Sequence, residues 1–105
     1  MKKLVCEGSS KSLSDGDTYT DWVILDGNEW SAGAAGTWGG TVTVQAVAPG
    51  GDIANDADIQ DLETFTANFC RAGFPLCGGW KVRAGFKYGE FSSGAAAISV
   101  FRKPY

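Results

Sequence analysis

Glycine sets the tightest limit on how this chain can fold. Fifteen glycines are scattered over 105 residues, and each one inside a helix costs about 1 kcal/mol relative to alanine. The segments between them are rich in Val, Thr, Ile, Phe, Trp and Tyr, which pack well on a pleated surface. Short strands joined by tight turns are the expected outcome. Six or so of them, at intervals of about 8–15 residues, fit two packed sheets better than βαβ units. The expected fold class is therefore all-β, a small antiparallel β-sandwich of immunoglobulin-like or jelly-roll-like form. With 44% apolar residues, a chain of this length can build one core without metal or disulfide staples. Residues 1–12, polar and carrying Lys2, Lys3 and Lys11, read as an extended N-terminal arm. Residues 13–105 read as a single domain.

The strand signals differ in clarity. Thr41–Val47 is the cleanest, with Val42, Val44 and Ala46 alternating against Thr41, Thr43 and Gln45 between Gly39-Gly40 and Pro49-Gly50-Gly51. Thr18–Leu25 follows the turn Asp15-Gly16-Asp17 and is apolar on both faces, Trp22 and Ile24 on one, Val23 and Leu25 on the other, so its orientation stays open. Leu62–Phe69 alternates as one strand, and Arg71–Gly79 reads as a connection. Trp80–Gly85 and Ala96–Phe101 read as two strands, with Lys87-Tyr88-Gly89-Glu90 supplying a hairpin-like bend between them. Asp52–Asp61, with four aspartates, is too acidic for a core strand and reads as a surface loop.

Several function classes are disfavoured by composition. The chain has no histidine, which removes the commonest general base and zinc ligand and every Ser/His/Asp or Cys/His arrangement. Its net charge of −3 gives no source for the phosphate neutralisation that drives nucleic-acid binding. Apolar runs are far shorter than the roughly 20 residues a membrane helix needs. The two apolar residues before Cys6 fall short of the about 7–15 that an export signal requires. Neither nucleic acid nor membrane is expected as a partner, and synthesis in the cytoplasm is. The three cysteines fit that compartment as small buried or half-buried thiols, with a Cys70–Cys77 bridge as the alternative.

Read together, the order of these features resembles a group of small bacteriophage virion proteins, β-sandwiches that decorate or cement capsids or serve as head and tail accessories. The resemblance spans about residues 13 to 102. It is carried by Asp15-Gly16-Asp17, Gly36-Thr37-Trp38-Gly39-Gly40-Thr41-Val42-Thr43-Val44-Gln45, Ala48-Pro49-Gly50-Gly51, Gly79-Trp80-Lys81-Val82-Arg83-Ala84 and Ala97-Ile98-Ser99-Val100-Phe101-Arg102. The acidic loop and the Cys70–Cys77 segment depart from that outline. What the resemblance implies is a structural role in the virion, with the major capsid protein or other virion proteins as partners, many symmetric copies, and no catalytic residues to carry over.

The residues themselves add little chemistry. Asp52, Asp56, Asp58 and Asp61 lack the order of a calcium loop, and Cys6, Cys70 and Cys77 lack zinc spacing. No metal or other cofactor is expected, and Glu29, Glu63 and Glu90 offer only the chance carboxylate pairs of any chain with twelve acids, so no enzyme is expected either. Four tryptophans are the suggestive enrichment. Trp22 and Trp80 are expected in the interior, while Trp30 and Trp38 flank glycine-rich turns and are the expected contact residues. With them stand Val23 and Leu25, on the second apolar face of Thr18–Leu25, and Lys2 and Lys3 of the arm. A carbohydrate-binding module of a host-adsorption apparatus, or a tail or neck accessory, is the alternative role.

Overall fold

The computed structural model describes residues 6–73 and 75–103. Its strands are β1 (Glu7–Leu13), β2 (Thr18–Tyr19), β3 (Val23–Ile24), β4 (Trp30–Val47), β5 (Ile59–Phe65), β6 (Phe69–Gly73) and β7 (Lys81–Arg102), with one turn of 3-10 helix at Asp56–Asp58. The chain is all-β, and its strands form a single seven-stranded antiparallel sheet. The spine of the sheet is the pair β4 and β7, whose ladder runs from Trp30 opposite Arg102 to Val47 opposite Lys81.

These two strands must bend. At about 3.3 Å per residue a straight strand of β7's length would span roughly 73 Å, whereas the longest molecular dimension is 39 Å. The bend is written in glycine: the β4–β7 register shifts on either side of Gly40, whose φ of +127° is open to glycine but not to ordinary L residues. Beyond the bend on one side, residues 30–36 and 96–102 are flanked by β6 and β1; on the other, residues 42–47 and 81–86 are flanked by β5 and by β2 and β3. Inward-facing side chains from both halves join one core, with Ala32, Ala34, Ile98 and Val100 from the first and Val42, Val44, Val82 and Phe86 from the second. Phe86 is fully buried near the bend, in T-shaped contact with Trp38 at 5.6 Å and with Phe91 at 5.0 Å between ring centres.

Several local expectations are corrected. Lys87–Glu90 does not reverse the chain but bulges out of the ladder, since β7 pairs with β4 up to Phe86 opposite Val42 and again from Phe91 opposite Gly40, with Gly89 and Gly94 taking positive φ within the strand. Thr18–Leu25 is two short strands rather than one. Between them Thr20 is buried, its Oγ1 accepting from the Ala84 amide at 3.2 Å. Leu62–Phe69 breaks at Thr66 and Ala67, and Phe65 and Phe69 stack across that turn at 3.6 Å. Part of the expected 71–79 connection belongs to β6. The arm expected over residues 1–12 does not stand apart from residue 7 onward: Glu7–Leu13 is an edge strand paired along the end of β7. Lys2 and Lys3 lie outside the described residues.

Candidate functional site

The alternation that buries Val42, Val44 and Ala46 turns Thr43 and Gln45 to the opposite face, where β2, β5 and β7 supply their neighbours. Arg83, Gln45 and Asp61 stand opposite one another on β7, β4 and β5 and are joined side chain to side chain. Arg83 Nε donates to Gln45 Oε1 at 2.9 Å, and Gln45 Nε2 donates to Asp61 Oδ1 at 2.9 Å. Lys87 Nζ closes the row on Asp61 Oδ2 at 2.8 Å. The Arg83 guanidinium lies 3.7 Å from the centre of the Tyr19 ring and 4.5 Å from that of Trp22, flat aromatic contacts that hold a cation well. Tyr19 can lie flat because Gly85 stands opposite it and a Cβ there would overlap the Tyr19 backbone and ring. Tyr19, Gln45, Asp61, Arg83 and Lys87 line a groove of about 640 Å³ together with Asp17, Asp56 and Tyr88.

Electrostatics follow from these bonds. Lys87 and then Gln45 hold the Asp61 carboxyl below its ordinary value, and Asp61 raises Lys87 in return. Burial pushes the Tyr19 hydroxyl up and the Arg83 guanidinium down. Since the folded pKa of Asp61 is depressed, its stabilisation is complete above the ordinary aspartate range and is lost as pH falls through the depressed value. Asp61→Asn is therefore expected to flatten the acid limb of stability against pH, read as urea midpoints between about pH 5 and pH 2. An acid limb identical in the parent and the variant would show that the row does not hold in solution.

A second concavity lies between β5 and β6. Trp30, Ala32, Val44 and Leu62 line an apolar cleft of about 260 Å³, with Glu63 and Arg71 paired at 3.2 Å beside it. The Trp30 ring lies against Gly73, where any side chain would overlap it. Leu62 is 47% exposed, one of few large apolar side chains so placed.

Of the expected contact residues, Trp30 and Trp38 are half-buried against the core. Trp30 borders the apolar cleft, while Trp38 donates its Nε1 hydrogen to Asn68 Oδ1 at 2.7 Å. Val23 and Leu25 are corrected from contact residues to core residues, 7% and 0% exposed. Val23 pairs with Val82, and the Leu25 amide bonds to the Trp80 carbonyl, which turns both inward and leaves Ile24 facing out. Trp22, expected in the interior, is half-buried on Arg83 instead, and Trp80 is half-buried against the core. All three cysteines are exposed free thiols rather than buried ones, Cys70 because it lies on the edge strand β6. Aspartates of the acidic loop serve the turn itself: Asp52 Oδ1 accepts from the Ala54 amide and Asp58 Oδ2 from the Asp52 amide. Among the described residues no three His, Cys, Asp or Glu side chains converge as metal ligands.

Sequence reasoning missed the Arg83–Gln45–Asp61 row. Its signal was present in part, as polar residues at alternate positions of two clear strands, but the register that brings them opposite one another is not local information. No family model, curated protein or solved structure matches the chain.

Proposed function

We propose that this chain is a structural protein of a bacteriophage particle, a decoration or cement protein that binds coat subunits through the Trp30–Leu62 cleft. The observation that carries the reading is the combination of a large indole, an exposed leucine and an apolar cleft where β5 and β6 edge the sheet. Buried aromatic anchors dominate the energetics of protein interfaces, and an edge strand presents backbone groups to a partner. The sequence order that resembles small virion proteins supports placing the partner in a capsid. Modest contacts repeated over a symmetric shell then resist its expansion.

Quantitative mass spectrometry of purified particles tests the location, with copies comparable to the major coat protein expected. A handful of copies, or none, overturns the decoration reading. Trp30→Ala and Leu62→Ser are each expected to weaken attachment to particles by about 2 kcal/mol, roughly thirtyfold. The second variant removes an exposed side chain and leaves the core intact, so it separates lost docking from lost folding.

A further inference from the structure

The groove over β2, β4, β5 and β7 is not used by the decoration reading. Its hydrogen-bonding groups fall into two sets. One is spent internally, in the row from Arg83 Nε through Gln45 to Asp61 and Lys87, which fixes the floor. The other points outward. The terminal nitrogens of Arg83 make no hydrogen bond or ion pair among the described residues, and neither do the carboxylates of Asp17 and Asp56. A positioned donor and two exposed acceptors thus stand around one concavity, beside Tyr88, which is 89% exposed. Its size lies within the range of small-molecule sites, roughly 300–1,000 Å³.

That pattern selects a ligand class. An anion is disfavoured, because three carboxylates line the groove against two cations, one of which already pairs with Asp61. An apolar ligand finds one aliphatic wall, Ile59, among polar neighbours. A polyhydroxylated ring fits both sets, since each hydroxyl can accept from Arg83 and donate to Asp17 or Asp56, while the apolar face of the ring stacks on Tyr88. We infer that this groove binds a neutral oligosaccharide, with Arg83, Asp17 and Asp56 holding hydroxyl groups and Tyr88 as the stacking platform. The row beneath positions Arg83, and the flanking Tyr19 and Trp22 rings fix its plane, so little side-chain freedom is lost on binding.

The test uses the full chain against an array of neutral bacterial and plant oligosaccharides, followed by NMR titration with whichever neutral glycan binds. Saturable binding is expected, with the largest shifts at Arg83 Nε and the Gln45 side-chain amide. Tyr88→Ala, a change at an exposed position, is expected to weaken binding about five- to tenfold. Asp56→Asn, on the exposed loop, is expected to weaken it while preserving the fold seen in the spectrum. Failure of every neutral glycan to bind at millimolar concentration overturns the inference, and so does binding confined to anionic glycans. Shifts centred on Trp30, or affinity unchanged in both variants, equally overturn it. None of these outcomes bears on particle copy number, so this site and the decoration reading stand or fall separately.

Discussion

Gly40→Ala is expected to destabilise the protein by at least about 3 kcal/mol, read as a lowered urea midpoint by tryptophan fluorescence. Two costs add at this position. The backbone has φ of +127°, and a Cβ would overlap the Glu90 carbonyl oxygen while lying 3.1 Å from Phe91 Cα on the facing strand. Relief of that overlap requires β4 and β7 to part where both bend. Gly50→Ala is the matched control, since its φ is +85° but nothing lies within 4 Å of the added methyl. Its cost is expected near 1 kcal/mol, the ordinary penalty of left-handed backbone. Equal losses in the two variants would show that close packing at the bend contributes nothing.

The second large effect is expected from Phe86→Ala, a loss of about 3–5 kcal/mol. Phe86 is fully buried and packs nearly perpendicular to the Trp38 and Phe91 rings, so truncation leaves a cavity bounded by strands that cannot collapse without undoing the bend. The fluorescence of the native state is expected to change as well, because Trp38 loses the ring it packs on. Tyr88→Ala, two residues along the same strand and 89% exposed, is expected to stay within about 0.5 kcal/mol of the parent chain. A Phe86 loss below about 1 kcal/mol would mean that the aromatic group at the bend repacks freely.

What the sequence disclosed and what it hid divide along physical lines. Thr41–Val47 was legible because its alternation places valines and alanine on one face, and the structure buries that face in the core. The two apolar ends of β7 were legible for the same reason. Their union was not, because Tyr88-Gly89 carries the usual mark of a turn, and only the pairing with β4 on either side of it, at Phe86 and at Phe91, makes the segment a bulge within one strand. Thr18–Leu25 was ambiguous because both faces are apolar. What turns Val23 and Leu25 inward is their pairing with Val82 and Trp80, nearly sixty positions away. The half-burial of Trp30 was legible because an indole beside small residues cannot be enclosed by its own neighbours. Arg83, Gln45 and Asp61 were not, because each is an unremarkable polar residue until the register sets them side by side.

The register of the spine also governs how fast the molecule can assemble. Even the nearest β4–β7 pair, Val47 with Lys81, encloses residues 48–80, and the farthest, Trp30 with Arg102, encloses 31–101. No tight hairpin can start this ribbon, so a large loop must close before its first rung forms. The one local start is the turn that brings Ile59 back to Val47, from which β5 zips along the second half of β4. Chains whose contacts are this distant in sequence fold in milliseconds to seconds rather than microseconds. Until β7 arrives, the apolar face of β4 stands open to other chains, so molecules emerging together at high concentration are most exposed to misassociation during that interval.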